Sequence, residues 1–148
     1  MHEEPLIATR RSVLRLLDAN ANRALEGMRV CEDIVRFHLE FPVAFRQLRA
    51  LRHAIAHAIR QLPVGPLDLA RARASRTDVG RRAAASRVRS LEQLLVINLQ
   101  RVKESLRTME ESSRLIAPSQ AASFQRLRFR TYEVERALLL NLAALRHR

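Results

Sequence analysis

The sequence predicts an all-α fold, a helical bundle made of two tandem helical hairpins with an internal pseudo-two-fold repeat. Three observations predict it. Hydrophobic residues make up 47% of the 148 positions, with only 3 Gly and 5 Pro. That is enough apolar surface for a core, and too few turn-formers for a many-stranded sandwich, barrel or propeller. Long segments carry apolar residues at helical spacing. Finally, Arg11 to Arg36 and Arg89 to Arg114 align at a constant offset of 78 with ten identities in 26 pairs. These include Ser12/Ser90, Asn20/Asn98, Arg23/Arg101, Glu26/Glu104, Arg29/Arg107, Glu32/Glu110 and Arg36/Arg114. The shared pattern reads N-x-x-R-x-x-E-[GS]-[ML]-R-x-x-E-[DE], and a repeat of this kind organises the whole chain. The length suits one domain of ordinary size.

Repeat 1 spans about residues 10–62, a connector 63–86, and repeat 2 about 87–146. In the first long helix, Leu14 to His38, a heptad-like seam carries Leu14, Leu17, Ala21, Ala24, Met28, Cys31 and Val35, with small residues in its middle that permit close helix approach. The neighbouring stripe, Val13, Leu16, Asn20, Arg23, Gly27, Val30, Ile34 and Phe37, is apolar at both ends and polar at its centre. Burying Asn20 and Arg23 without partners would cost several kcal/mol each. A break at Glu40 to Pro42 leads into a second helix, LRALRHAIAHAIRQL. Pro63, Gly65 and Pro66 end it, a short helix follows around Leu67 to Ala74, and Asp78-Val79-Gly80 signals a turn. The second copy repeats the order. Its stripe, Leu91, Leu94, Asn98, Arg101, Ser105 and Thr108, turns polar at the same level, and a break at Pro118 and Ser119 precedes RLRFRTYEVERALLL. The second helices match at Leu51/Leu127 and Arg52/Arg128, offset by 76. Packing about a pseudo-two-fold axis is expected to bring Asn20, Arg23, Asn98 and Arg101 to one polar, basic cavity.

The net charge of +12 comes from 27 Lys and Arg against 15 Asp and Glu, and Lys103 is the single lysine. Lysine-rich runs would point to a nucleic-acid arm or a membrane surface. Dispersed arginine points instead to ion pairing or to a bidentate grip on phosphate and carboxylate. No GxxxxGK[ST], GxGxxG or GxSxG motif occurs, so phosphate chemistry here must rest on side chains and helix N-termini. His53 and His57 stand at i,i+4, yet no Glu-x-x-His accompanies them, which rejects a ferritin-like metal site; they read as a half-buried helix face. Cys31 reads as a small core residue and has no second cysteine to pair with. The Glu26/Arg29/Glu32/Asp33/Arg36 series and its copy have the spacing of intrahelical ion pairs. For Asp78, a turn or cap role stands beside a Mg²⁺ or general-base role. The start, MHEEPLIATRR, has no secretory pattern, and no apolar run is long enough for a membrane span. A cytoplasmic protein is expected.

The run LLDANANRALEGMRVCEDIVRF, then ALRHAI, DVG in the connector, INLQRVKESLRTMEESSRLI and LRFRTYEVERAL resemble a helical domain found ahead of thiamine-phosphate synthase. That domain is similar to the monofunctional hydroxymethylpyrimidine-phosphate kinase, unrelated in fold to the ribokinase-like enzyme. The resemblance runs from about Leu14 to Leu138. It implies ATP- and Mg²⁺-dependent phosphorylation of 4-amino-5-hydroxymethyl-2-methylpyrimidine phosphate to the diphosphate. No synthase barrel follows Arg148, so the chain is expected to stand alone or be a fragment, with the synthase as a separate partner. The connector around DVG is also shorter than the resemblance implies. On this reading Arg23 and Arg101 grip phosphates, oriented by Glu26, Glu104 or the two asparagines. Arg52 and Arg128 enter from the second helices, Asp78 is the catalytic residue and metal ligand, and Tyr132 stacks on the pyrimidine. Two other classes fit an Arg-rich helical chain. A chorismate-mutase-like enzyme would turn over without ATP. A basic binding module for RNA or a protein partner would bind in a salt-dependent way, although 4% aromatics offer little base stacking. A homodimer is compatible with all of these.

Overall fold

The seam of the first helix decides how the chain packs. Leu14, Leu17, Ala21, Ala24, Met28, Cys31 and Val35 are all buried, and each fully buried aliphatic side chain contributes about 2 kcal/mol. In the computed structural model, which describes residues 3–147, this helix, α1, runs Glu3–Ile34, so it begins well before the repeat does. Its last turn widens into a π-turn, Val35–Leu39. Glu40 then adopts a left-handed conformation, φ 54° and ψ 45°, and its N–H and that of Phe41 both donate to the Val35 carbonyl. This closure satisfies the terminal carbonyls. Pro42 opens α2 (Pro42–Arg60) at the position where its missing N–H costs nothing. Gly65, whose N–H donates to the Asp68 carboxylate at 2.9 Å, precedes the short helix α3 (Pro66–Ala72). A 3₁₀ turn at Ser75–Thr77 follows, and an exposed stretch that turns at residues 79–82 reaches Ser90. The Ser90 hydroxyl caps α4 (Leu91–Ser113) by accepting the Gln93 N–H at 3.0 Å, as N-terminal serines do. Helix α5 spans Pro118–Arg146.

The all-α bundle of two hairpins predicted from the repeat is the architecture observed. Helices α1 and α4 pack on each other, α5 packs on α4 and α2, and α2 closes the ring onto α1, while α3 lies on α1. The pairing of α1 with α4 is antiparallel, since Cys31 Sγ meets the Leu95 carbonyl at 3.8 Å and His38 Nε2 meets Glu92 Oε1 at 2.9 Å. The two helices come close at Gly27, where a Cβ would stand 3.0 Å from Val102 Cγ2 and 3.4 Å from the Asn98 carbonyl oxygen. A side chain there would push the two central helices apart. Its repeat mate, Ser105, is likewise small and buried.

Two expectations need correction. The apolar ends of the stripe beside the seam are only partly buried: Val13 and Ile34 are inside, whereas Leu16 and Phe37 are exposed; Phe37 serves as a platform for Arg36, whose guanidinium lies 4.7 Å from the ring centroid. The Glu/Arg series is also not simply intrahelical. Arg107 and Arg114 do pair along α4 with Glu110 and Glu111. Glu32, 1% exposed, instead reaches across to Arg52 on α2, and Glu110 reaches Arg128 on α5 at 3.1 Å. The His53 and His57 side chains lie on the exposed face of α2. Among the described residues no helix is long and apolar enough to cross a membrane.

Cys31 is the core residue the seam required. Burial, reinforced by the adjacent Glu32 carboxylate, pushes its thiol up to about 12, which leaves almost no thiolate, the reactive form, at pH 8. Labelling by a disulfide reagent at pH 8 is therefore expected to be slow in the native protein and to complete within seconds in denaturant. Rapid native labelling would show that the seam opens on its own.

Candidate functional site

Where α1 and α4 cross, the polar level of both stripes opens on the outer face of the bundle as a cavity of about 600 Å³. It is lined by Asn20, Arg23, Glu26, Gly27, Val30, Asn98, Arg101, Glu104, Ser105 and Thr108. The ten are five pairs of repeat mates at the offset of 78, so the cavity sits on the pseudo-two-fold. The expected convergence of Asn20, Arg23, Asn98 and Arg101 is present, with Glu26 and Glu104 beside them.

The floor is made by the asparagines, which are 5% and 6% exposed. Each anchors itself to its own helix, Asn20 Nδ2 donating to the Leu16 carbonyl at 2.8 Å and Asn98 Nδ2 to the Leu94 carbonyl at 2.9 Å. This back-bonding fixes the amide and leaves both Oδ1 atoms without a protein donor among the described residues. Neither oxygen is a buried orphan; both line the open cavity and are available to a ligand that carries hydrogen-bond donors. The rim is ionic. Arg23, Arg101, Glu26 and Glu104 are exposed, and among the described residues neither arginine is held in an ion pair. Glu104 accepts from Gln100 Nε2 at 3.0 Å, and Thr108 Oγ1 donates to the Glu104 carbonyl at 3.2 Å. Two free guanidinium forks above two open acceptors can hold a phosphorylated molecule whose other end donates hydrogen bonds.

A second cavity, about 560 Å³, adjoins the first across Asn20 and Arg23 and lies between α1 and the connector. It is lined also by Ser12, Arg15, Leu16, Asp18, Ala19, Asn22, Arg73, Ala74, Ser75 and Asp78. Arg73 fixes the connector here, donating from Nε and Nη2 to the two Asp18 oxygens at 2.8 and 2.7 Å. Asp78 stands at the edge of this cavity, exposed, with Oδ1 accepting the Gly80 N–H at 2.7 Å. Of its two readings, the turn role is visible directly. Among the described residues no group of three His, Cys, Asp or Glu is placed to hold a metal by itself.

Arg52, Arg128 and Tyr132 lie elsewhere. Arg52 makes a two-point pair with Glu32 at the α1–α2 joint, its Nη2 donating to Oε1 at 3.1 Å. Arg128 Nη2 donates to both Glu110 oxygens, at 3.2 and 3.1 Å, across the α4–α5 joint, and its Nη1 donates to the Tyr132 hydroxyl at 3.4 Å. Tyr132 packs under Lys103, 5.1 Å from Nζ to the ring centroid, and Lys103 pairs with Glu135 at 2.8 Å. These groups tie the two helices of each hairpin together and do not line either cavity. The sequence reasoning missed Asp18 and Arg73. A signal was present in the repeat: the mate of Asp18 is Val96, so an acid replaces an apolar residue only in the copy that the connector follows.

Fold and site define a small helical domain with an internal repeat and an arginine-rimmed cavity at the axis relating its halves. The chain belongs to the ThiD2 family, whose family model matches residues 15–137. Among curated relatives it is 39% identical over 131 residues to a thiamine-phosphate synthase of Synechocystis sp., covering 86% of this chain and 36% of that protein. A thiamine-phosphate synthase of Rhodopirellula baltica is 33% identical over 142 residues, 95% of this chain and 38% of that protein. One of Thermosynechococcus vestitus is 33% identical over 130 residues, 86% and 35%. The chain thus spans little more than a third of the length of these relatives. No solved structure matches it.

Proposed function

We propose that this chain acts in thiamine biosynthesis as an ATP-dependent kinase, phosphorylating 4-amino-5-hydroxymethyl-2-methylpyrimidine phosphate to the diphosphate. The observation that carries this reading is the doubled set Asn20/Asn98, Arg23/Arg101 and Glu26/Glu104 around one cavity. Its support is chemical. Donor and acceptor are both polyanions, so the protein's task is positioning and charge neutralisation. The exocyclic amine of the pyrimidine is a donor suited to the open Asn20 and Asn98 oxygens, and its phosphate is suited to the Arg forks.

In the step itself an oxygen of the acceptor's phosphate forms a bond to the γ-phosphorus of ATP. The bond from that phosphorus to the β-bridging oxygen breaks, and ADP leaves with the electron pair. A phosphate monoester has a second pKa of about 6, so near neutral pH the attacking oxygen is already unprotonated. No general base is then required, and Asp78 is not needed in that role. Mg²⁺ takes one or two carboxylates and fills its sphere with phosphate oxygens and water. Glu26 and Glu104, which both line the cavity, fit that donor set, with Asp78 in the adjoining cavity beyond Arg23. Such an ion, bound with the nucleotide, would neutralise phosphate charge.

Purified chain supplied with the pyrimidine phosphate, ATP and Mg²⁺ is expected to form pyrimidine diphosphate and ADP in equal amounts, and nothing without ATP. A folded chain that forms no diphosphate, or that converts a substrate without ATP, overturns the reading.

A further inference from the structure

The cavity beneath the connector stands outside the repeat. Its polar residues Arg15, Asp18 and Asn22 have Gln93, Val96 and Gln100 as mates, and α3, which leads into the connector's covering turn, packs on α1. Asp18 is 7% exposed where Arg73 closes over it, whereas Val96 is 39% exposed. The first hairpin therefore carries a chamber under the connector whose lining the repeat does not reproduce in the second. Its volume lies in the range of small-molecule sites, about 300–1,000 Å³.

We propose that this chamber is the nucleoside subsite, taking the base and ribose of the ATP while the repeat-lined cavity takes the phosphates and the acceptor. The inference rests on the kinase reading above. Leu16, Ala19 and Ala74 supply apolar surface for a flat ring, and Asn22 and Ser75 supply polar groups for its edge and the ribose. The two cavities share Asn20 and Arg23. A triphosphate that starts in the chamber must cross Arg23 to enter the other cavity, which brings its γ-phosphorus to the acceptor held there. Arg23 borders both cavities and Arg101 only the repeat-lined one, so the pseudo-symmetric cavity works in one direction and each chain carries one site. The Asp18–Arg73 pair is a positioning device that keeps the connector over the nucleoside.

Filling the chamber tests this. Ala19→Leu, on α1, and Ala74→Leu, on the connector, both narrow it from half-buried positions. Each is expected to raise KM for ATP at least tenfold and weaken ADP binding in equilibrium dialysis equally, with KM for the pyrimidine phosphate changed less than twofold. Leu16→Ala, at an exposed position that the fold tolerates, is expected to act in the same direction and covers the case in which a leucine variant fails to fold. Unchanged ADP affinity in these variants, or a rise confined to KM for the pyrimidine phosphate, overturns the subsite while the kinase stands. Wild-type chain that makes no diphosphate overturns the kinase reading itself.

Discussion

Arg101→Ala is expected to lower kcat/KM for diphosphate formation by about 10²- to 10³-fold, the usual loss when one preorganised donor to a reacting anion is removed. Its effect on stability should be small. Arg101 is exposed and lies in no ion pair among the described residues, and substitutions at such places change stability by about 0.5 kcal/mol or less. For a domain of this size that is a shift in Tm of under about 2 °C. Arg23→Ala is expected to match it in kcat/KM and also to raise KM for ATP, because Arg23 borders both cavities. Arg101→Lys is expected to recover only part of the loss, since an ammonium keeps the charge without the two-point fork. The measurement pairs steady-state kinetics with thermal melting of each variant. Activity and Tm falling together would make these arginines structural and remove the basis of the site.

Much of this arrangement was legible in the sequence because it depends on local periodicity and on a repeat. The seam from Leu14 to Val35 follows from helical spacing alone, and its burial fixes which face of α1 meets the rest of the bundle. The polar level at Asn20 and Arg23 stood out because an apolar stripe turned polar twice at the same register. What periodicity cannot convey is reach. Arg52 and Arg128 sit one helix away from the cavity at matching repeat positions, and the sequence does not say whether a long guanidinium extends toward a ligand or a carboxylate. The structure shows the latter, with Glu32 and Glu110 as their partners. The connector was the least legible part, since its placement over α1 rests on long-range contacts, the packing of α3 on α1 and the pair of Asp18 with Arg73, separated by 55 residues. The exposure of Phe37 has a similar origin, because the π-turn at Val35–Leu39 changes the phase that a regular helix would keep.

The two buried ion pairs that join first to second helices are alike by repeat, yet they should respond oppositely to truncation. Breaking a buried pair costs about 3–5 kcal/mol when the remaining charge is left without compensation, so the cost depends on which partner remains. In the first hairpin Arg52→Ala strands Glu32, whose side chain is 1% exposed while that of Arg52 is 21% exposed. The opposite deletion, Glu32→Ala, leaves an arginine that can turn part of its guanidinium to water. In the second hairpin Glu110→Ala strands Arg128, 10% exposed, whose Nε is buried and already lacks a partner. Arg128→Ala there leaves Glu110 with Arg107 still 3.4 Å away. The arginine deletion is thus expected to be the more damaging in the first hairpin and the glutamate deletion in the second, each by at least about 1 kcal/mol over its counterpart and near the upper end of the quoted range. Urea unfolding of the four single variants reads this directly. Joint replacement by Glu32→Leu and Arg52→Met should recover most of the loss, because packed apolar groups avoid the desolvation that the pair must offset. Equal losses for both partners in each hairpin would mean that solvent reaches the joints freely, and each hairpin would then be held by its apolar contacts alone.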